Sequence, residues 1–428
     1  MLVICALPVI RWFMLEPMVD RFGSPVSTLL SLGQISGIVG LTLFAFNLLL
    51  TTRIKLFEDL FGGLNRVFIA HHIIGTFAFV ALLMHPLMLA LRLAPSSLHD
   101  AGLLFVPRTD NLPVALGIVA LAGLTGLMVS TFFVKLTYRT WLLSHKFLGG
   151  VFFLAGLHAL LTPNDLSADP WLRFYLVGFS ALGLVSYVYR TMFPGIFVKR
   201  YAYTVSIAKQ LNDSTVEVSL IPKQRAIRYD AGQFVFVSFR AEGLSKEWHP
   251  FTVSSAPSET GLAVTVKSLG SYTNMLSRFL PSMKGIEVLV EGAYGRFTFN
   301  RMNRQTQVWI AGGIGITPFL AMAKNLSAMP EYDVDLYYAV AKESELVDVD
   351  ALKLVESRVP GKSFRLIPYV ADKQGLLTAQ KIAETSGNLD QKDILLCGPP
   401  PMMTAIKKQL SQLGVHPRNI HSEEFRMS

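Results

Sequence analysis

Long apolar runs with short polar breaks fill the chain up to about residue 194, whereas the part after residue 199 mixes short apolar stretches with charged residues. A membrane-spanning helix needs about 20 mostly apolar residues. The pattern therefore predicts six spans, near residues 2–17, 27–50, 67–93, 112–134, 140–162 and 171–193. The first run is short and contains Arg11, and no convincing cleavage pattern of small residues follows it. A shortened or displaced first membrane helix explains it better than a signal peptide.

The charges between these runs predict how the chain is oriented. The breaks that contain Arg53, Lys135 and Arg190 are basic, whereas the alternate breaks carry Asp residues and fewer cations. Cytoplasmic loops of membrane proteins carry an excess of Lys and Arg. We therefore expect a multi-pass protein of the inner (plasma) membrane, with the second half of the chain on the cytoplasmic side.

Five histidines stand inside the apolar runs, and four of them can pair two by two. His71 and His85 lie in the third run, and His145 and His158 lie in the fifth. An imidazole within a membrane is costly and indicates a function. Both runs are predicted to cross from inside to outside, so His71 and His145 share the inner depth while His85 and His158 share the outer depth. A natural guest for two facing imidazoles is a haem iron, and two stacked haems would bridge most of a ~30 Å hydrocarbon core.

The helical period leaves one feature of this arrangement to be explained. His145 and His158 are thirteen residues apart, a spacing that misses the same helix face by about 140°, so we expect a local bulge, a tilt or a different side-chain reach in the fifth run. His72 competes with His71 as a ligand. A glycine four residues later, Gly75 after His71 and Gly149 after His145, favours His71 because a small residue lets a flat macrocycle approach. A proton path or interhelical hydrogen bonding would suit a lone histidine better than two matched pairs.

Composition excludes several other classes of protein. The net charge is +9, but no stripe of basic and aromatic residues indicates nucleic-acid binding. We attribute the excess of Lys and Arg to membrane anchoring and to anionic cofactors. Cys5 and Cys397 are the two cysteines, which excludes a disulfide framework and a covalent Cys-x-x-Cys-His haem. Any haem must therefore be of the non-covalent b type.

The second half of the chain predicts two kinds of sheet. Short alternating strands near 203–207, 216–220 and 231–237 predict a small barrel. A later strand at 308–311 leads into Gly312-Gly313-Ile314-Gly315-Ile316-Thr317-Pro318 and then a helix. Glycines in such a turn let backbone amides meet a phosphate at the helix N-terminus.

Strands at 334–340, 364–370 and 393–397 alternate with helices and predict a doubly wound sheet. The last strand ends in Cys397-Gly398-Pro399, at the carboxyl edge where such sheets bind ligands.

Taken in order, these motifs resemble bacterial members of the NADPH oxidase/ferric reductase family over nearly the whole chain. The four histidines resemble the bis-haem core of that family. His249-Pro250-Phe251-Thr252, continued by Ser254-Ser255-Ala256-Pro257, resembles its flavin motif, and the glycine turn and Cys397-Gly398-Pro399 resemble its nicotinamide motifs. The resemblance implies three domains: a six-helix transmembrane bundle with two stacked b-haems (1–196), an antiparallel β-barrel FAD domain (197–302) and a doubly wound α/β NAD(P)H domain (303–428).

The resemblance also implies the activity. FAD, two b-haems and NADPH or NADH would carry electrons from the cytoplasm to an acceptor outside, with oxygen reduced to superoxide. A ferric or cupric chelate reductase with the same internal wiring is the alternative. The expected partners are a small-molecule donor, a small-molecule acceptor and membrane lipid. Nucleic acid is not expected, and a complete flavin and nicotinamide half requires no protein partner.

The family motifs assign roles to residues of this chain. Cys397 would lie near the point of hydride transfer, and Phe425 would stack over the flavin. Lys342, with Glu343 beside it, stands where the family commonly has an Arg for the 2′-phosphate, so we expect weak discrimination between NADPH and NADH. The haem ligands would be His71, His85, His145 and His158. The other cofactor-binding residues would be His249, Pro250, Phe251, Thr252, Ser255, Lys267, Gly270, Thr273, Gly312, Gly313, Gly315, Thr317, Pro318, Gly398 and Pro399.

Overall fold

A computed structural model describes residues 2–163, 169–326, 329, 331–359 and 363–423. Its internal contacts divide the chain into two compact units. The helical unit comprises Met1–Phe57 and Arg66–Val198, and the sheet unit comprises Glu58–Asn65 and Lys199–Ser428. A short segment from the first half of the chain thus belongs to the sheet unit.

The helical unit contains the long apolar helices. Among the described residues, five helical stretches are long and apolar enough to cross a membrane: Pro25–Leu50, Leu64–Leu93, Leu112–Phe133, Arg139–Leu161 and Pro170–Met192. The helices up to residue 198 are α1 Leu2–Phe13, α2 Met18–Phe22, α3 Pro25–Leu50, α4 Lys55–Phe61, α5 Leu64–Leu93, α6 Leu98–Leu103, α7 Leu112–Phe133, α8 Tyr138–Lys146, α9 Leu148–Leu161, α10 Pro170–Tyr187 and α11 Pro194–Phe197. A π-helical turn, Val188–Met192, extends α10.

The first helix differs from the prediction of six spans. α1 has 12 residues, about 18 Å of helix, which is too short for a hydrocarbon core of about 30 Å. The structure therefore has five candidate spans and a shortened first helix. Asp169 holds this helix in place, because it accepts hydrogen bonds from the Arg11 guanidinium and from the Leu172 backbone N–H at the start of α10.

α3 is the most buried of the five candidate spans. Glycines on α3 let the side chains of α5 approach closely, as small residues do in membrane helix pairs. A Cβ at Gly40 would lie 2.7 Å from Leu82 Cγ, and one at Gly33 would lie 3.0 Å from Leu89 Cδ2. These close approaches place the outer part of α5 directly against α3.

A closed antiparallel sheet forms the first half of the sheet unit. Its strands are β1 Tyr201–Asn212, β2 Thr215–Pro222, β3 Phe234–Phe239, β4 His249–Thr252, β5 Leu262–Lys267 and β6 Glu287–Tyr294. They lie in the order β4-β3-β6-β1-β2-β5. The two ends of this order meet through an antiparallel bridge between Val253 and Val264, so the sheet closes into a small barrel, as predicted. Helix α12, Ser271–Phe279, follows β5.

A parallel sheet forms the second half of the unit. Its strands are β7 Thr306–Gly312, β8 Asp333–Val340, β9 Phe364–Val370, β10 Asp393–Cys397 and β11 Ile420–Glu423, in the order β11-β10-β7-β8-β9. The helices are α13 Thr317–Leu326, α14 Val349–Arg358, α15 Ala371–Gln374, α16 Ala379–Ser386 and α17 Pro400–Gln412. Alternate residues of β7 belong to different cores: Trp309 packs in one and Ile310 in the other. Helices thus cover both faces, which confirms the doubly wound sheet.

Candidate functional site

The four histidines come together in two pairs. The ring centres of His71 and His145 are 6.1 Å apart, and those of His85 and His158 are 6.2 Å apart. Two metal–imidazole bonds of about 2 Å each, with about 1.1 Å from each nitrogen to its ring centre, would place ring centres about 6 Å apart. The spacing in both pairs would therefore leave room for one metal ion between the two imidazoles.

Hydrogen bonds from Nδ1 orient three of these rings. Nδ1 of His85 lies 2.7 Å from the Gly33 carbonyl, and Nδ1 of His158 lies 2.8 Å from the Pro113 carbonyl. His71 Nδ1 makes a longer contact, 3.3 Å, with the Asn47 carbonyl. A carbonyl only accepts, so Nδ1 carries the proton and Nε2 keeps the lone pair that a metal needs.

The fourth ring, that of His145, lacks such a bond. Its Nδ1 is buried without a hydrogen-bond partner in the described part of the chain. Trp141 stacks on the ring, with centres 5.3 Å apart and planes inclined by 22°. His145 is thus held by an aromatic neighbour one turn earlier in α8. His72 lies beside the pair, with its ring centre 5.8 Å from that of His71.

A helix junction lies between the two histidines of the fifth run. α8 ends at Lys146 and α9 begins at Leu148, with a turn at Phe147 between them. The kind of local irregularity that the helical period required is therefore present, and His145 and His158 each lie beside a histidine of α5.

Two glycines that the sequence did not single out make room for the outer histidines. A Cβ at Gly37 would lie 2.8 Å from His85 Nδ1, and one at Gly117 would lie 2.7 Å from His158 Nδ1. The glycines expected to admit a macrocycle have other neighbours: Gly75 packs against Asn47 Nδ2, and Gly149 packs against the ring of Tyr187. The packing of neighbouring helices, and not the sequence spacing from a histidine, decides which glycines lie against the histidine rings.

These histidines fit a haem better than a bare metal ion. Each pair supplies two ligands, and in the described residues no group of three or more His, Cys, Asp or Glu side chains could hold a metal. A haem would bring four nitrogen ligands of its own, so two histidines in each pair would be enough to hold it. The two ring spacings, and the carbonyl contacts of Nδ1 that leave Nε2 for a metal on three of the rings, are the observations that fit this group.

In the barrel, the predicted flavin residues lie on β4 and at the start of α12. The His249 ring stacks on Tyr272, with centres 3.8 Å apart, and burial lowers the pKa of His249. Thr273 Oγ1 accepts hydrogen bonds from the N–H groups of Leu269 and Gly270. This geometry fixes the helix N-terminus, where backbone N–H groups favour a phosphate.

Two buried hydroxyls in this region fit a bound polar ligand. Tyr272 Oη and Ser254 Oγ are buried without a hydrogen-bond partner in the described residues. Pro250 is half-buried, while Phe251 and Thr252 are buried. Ser255 is occupied within the fold, because its Oγ lies 2.8 Å from the Tyr229 hydroxyl and accepts the Ala263 N–H.

The nicotinamide motifs meet at the carboxyl edge of the parallel sheet. Cys397 pairs with Ala311 across β10 and β7. A Cβ at Gly312 would lie 2.8 Å from Pro399 Cδ, and one at Gly398 would lie 3.0 Å from Gly312 Cα. A Cβ at Gly315 would collide with the Cys397 carbonyl. Most of these glycines therefore allow two chain segments to touch backbone to backbone.

Gly313 has a different environment from the other glycines of the turn. It has a φ of +54°, and a Cβ there would meet only Lys267 Nζ, at 4.0 Å, in the described structure. Gly313 thus leaves space beside the turn, next to the lysine that the family pattern gives to the flavin pyrophosphate. Thr317 Oγ1 donates to the Ile314 carbonyl and closes the turn at the start of α13, where Pro318 follows.

Cys397 is fully buried in the core of the sheet. Burial, with a smaller effect from Glu423, raises the pKa of its thiol well above the usual value. The group is therefore a neutral thiol at physiological pH. Phe425, the other predicted catalytic residue, lies outside the described residues.

Lys342 and Glu343 follow the carboxyl end of β8, where adenine-ribose recognition is expected. Glu343 forms an ion pair with Lys373 of α15, 2.5 Å between Oε2 and Nζ, which lowers the pKa of the carboxyl. The expected repulsion of a 2′-phosphate by Glu343 is therefore offset by a second lysine. The sequence did not indicate Lys373, because it is thirty residues away and reaches this place only through the pairing of β8 with β9.

Three protein families match consecutive parts of the chain. A family described as "Ferric reductase like transmembrane component" matches residues 36–156, an "FAD-binding domain" family matches 200–314, and an "Oxidoreductase NAD-binding domain" family matches 309–408. The chain has the NADPH oxidase/ferric reductase architecture. This confirms the resemblance that the motifs predicted, and it makes the protein an integral membrane oxidoreductase with FAD- and NAD-binding domains.

Curated relatives of this oxidoreductase match its second half. The chain is 28% identical over 235 residues to the electron transfer component of toluate 1,2-dioxygenase from Pseudomonas putida, which covers 53% of the chain and 68% of that protein. It is 27% identical over 209 residues to the ferredoxin reductase component of 3-ketosteroid-9-alpha-monooxygenase from Mycobacterium tuberculosis, covering 48% of the chain and 57% of that protein. The chain thus spans between about half and two thirds of these relatives.

A solved structure is similar over more of the chain. Flavohemoglobin from Malassezia yamatoensis, determined with bound FAD and heme, aligns with a TM-score of 0.51 and 17% identity. The alignment covers 94% of this chain and 98% of that one. At this level of identity the likeness concerns the fold alone.

Proposed function

We propose that the protein carries electrons across the inner membrane. Cytoplasmic NADPH or NADH is the donor, FAD and two b-haems are the carriers, and oxygen on the outer side is the acceptor, which becomes superoxide. The observation that carries this proposal is the presence of two histidine pairs, each with ring centres about 6 Å apart. Iron with two protein ligands has no open position for a substrate, so these sites suit electron transfer.

The sheet unit supports the donor side of the proposal. A bound flavin would take two electrons from the nicotinamide as hydride and release them one at a time. The chain's own residues bind and orient the cofactors: the start of α12 and Lys267 for the flavin, and the Gly312–Gly315 turn for the dinucleotide. Cys397 presents a neutral, buried thiol at the strand end.

The polar residues near the outer ends of the helices favour a small neutral acceptor. Arg108 is bonded to Asp110, and Arg11 is bonded to Asp169, so these cations are neutralised and do not attract an anionic ferric chelate. Arg92 has no ion pair or hydrogen bond within the described residues, is half-buried, and lies two helical turns beyond His85 on the same face. A lone guanidinium at this position would stabilise the anion formed when oxygen gains an electron.

The test is NADPH-driven oxygen uptake by the detergent-purified, FAD-supplemented protein, with and without superoxide dismutase. A parallel anaerobic assay measures reduction of a ferric chelate. Rapid oxygen uptake that yields superoxide, with slow chelate reduction, is the expected result. Rapid chelate reduction with negligible oxygen uptake would instead establish the metal-reductase alternative.

A further inference from the structure

A short segment between two long helices contacts the turn that follows β6. The Glu58 carboxylate accepts a hydrogen bond from the Gly295 backbone N–H, and Glu58 is only 5% exposed. Next to it, Arg296 Nη1 donates to the Asp59 carbonyl at 2.8 Å and lies 3.6 Å from Asp59 Oδ1. Two successive residues of the segment thus contact two successive residues of the turn. These contacts explain why Glu58–Asn65 belongs to the sheet unit.

A second carboxyl group lies on the other side of Gly295. Gly295 has a φ of +101°, and a Cβ there would lie 3.4 Å from Glu423 Oε1. Glu423 ends β11, opposite Cys397 of β10. Its Oε2 is buried and has no hydrogen-bond partner among the described residues. One glycine is therefore flanked by two buried carboxyl oxygens from distant parts of the sequence.

The charges around this cluster decide how many protons it holds. Arg296 is engaged by Asp59, and Cys397 is a neutral thiol. Burial, followed by repulsion from Glu58, raises the pKa of Glu423 to about 8. The Gly295 N–H donates to Glu58, and an N–H donor favours a negative charge on its acceptor. The other titratable groups nearby are already bonded, Glu291 to Tyr294 and His421 to Asp393.

We propose that Glu58 and Glu423 are a pair of positioning residues that hold one proton between them and fasten segment 58–65 to the Gly295 turn. With the proton in place, the cluster carries one charge, which the Gly295 N–H stabilises. Without it, two anions face each other where water is excluded, and the segment is released.

The direction of the pH dependence follows from the raised pKa. A carboxyl whose pKa is higher in the folded protein than in the unfolded chain stabilises the fold fully below its ordinary pKa, and this stabilisation is lost as the pH rises through the folded value. For Glu423 the loss is therefore complete only above about pH 8. The attachment therefore weakens progressively as the pH rises from the ordinary range of a carboxyl towards about 8.

Hydrogen exchange on the full-length protein in detergent tests the proposal. Rates for peptides covering 58–65 and Gly295 are divided by the intrinsic rates at each pH. In the wild type we expect protection to fall about tenfold between about pH 7 and about pH 9, since one unit above its pKa a carboxyl is about tenfold more ionised than protonated. Glu423→Gln should remain protected at both pH values. Asp59→Asn, a neighbouring change that leaves both carboxyls in place, should keep the wild-type dependence.

A second measurement does not depend on any variant being stable. The infrared carbonyl band of a protonated carboxylic acid should be present in the wild type at neutral pH and disappear near pH 8. Absence of such a band would overturn the proposal, and so would a pH-dependent loss of protection in Glu423→Gln equal to that of the wild type. Neither hydrogen exchange nor the infrared band requires haem, flavin or turnover. Both measurements therefore test this proposal even if the proposed electron transfer is wrong.

Discussion

The histidine pairs and the glycine turn differ in how their residues are distributed along the sequence. The glycine turn is a continuous run between β7 and α13, and its backbone shape follows from neighbours in the chain. The histidine pairs join α5 to α8 and α9, and each Nδ1 contact reaches yet another helix, α3 or α7. The geometry of a local motif can therefore be predicted from its sequence. For a site assembled from several helices, the sequence predicts only the residue types and their depth in the membrane.

Glycine illustrates this contrast. In the sheet unit, Gly312 and Gly398 allow two strands to pack backbone to backbone, and both belong to recognisable motifs. In the helical unit, Gly37 and Gly117 make room for imidazole rings on other helices, and nothing beside them in the sequence indicates this role. The role of a glycine can thus be predicted where it belongs to a recognisable motif. It cannot be predicted where the glycine makes room for a side chain on a different helix.

The largest expected effect comes from removing a histidine of the inner pair. His145→Ala should reduce bound haem from two to one per chain and abolish outward electron flow, because the ring facing His71 is lost. Reduction of FAD by NADPH should persist, since the sheet unit is unchanged. Haem content is measured from the reduced-minus-oxidised absorbance of the purified protein.

His72→Ala is the matched control for this change. It removes a neighbouring imidazole whose ring does not complete the 6.1 Å pair, so haem content should remain at two per chain. The reverse result, loss of haem in His72→Ala but not in His145→Ala, would show that the inner iron has a different ligand from the one proposed.

An intermediate effect is expected from adding one methyl group beside the outer pair. Gly117→Ala places a Cβ 2.7 Å from His158 Nδ1, and overpacking of this kind typically costs about 1–3 kcal/mol. The outer haem should be bound more weakly and lost first on heating. Gly126→Ala on the same helix has no atom within 4 Å of its new Cβ in the described structure and should behave as wild type. Equal haem loss in both variants would attribute the effect to α7 as a whole.

The smallest effect is expected at the nicotinamide end. Lys342→Gln removes a cation near the expected 2′-phosphate position, so the KM for NADPH should rise about three- to tenfold, the cost of losing one ordinary, solvent-exposed hydrogen bond. The KM for NADH should change less than twofold. Lys373→Gln frees Glu343 to repel phosphate and should produce the same selective loss. A similar rise for both dinucleotides in either variant would place the 2′-phosphate elsewhere.

The comparison also shows how much of the fold was accessible from sequence. The strands at 364–370 and 393–397 were predicted with the bounds that the structure has, because continuous apolar runs between turns leave little freedom. An irregularity somewhere in the fifth run was predicted from helical geometry alone, but its place at Phe147 was not. Six spans were predicted and the first is not confirmed, since a run of apolar residues does not reveal that its helix stops after 12 residues, although a shortened first helix was the favoured interpretation.

Residue types and their order determined the class of this protein: long apolar helices with histidines at two depths, and motifs for a flavin and a dinucleotide. These properties depend on composition and on short spacings, which can be read from the sequence without knowing how the chain folds. Tertiary structure alone decided which glycines face the imidazoles, which lysine neutralises Glu343, and that Glu58 meets Gly295 beside Glu423. Each of these joins residues far apart in the chain, and such contacts depend on packing between elements, which no local pattern encodes.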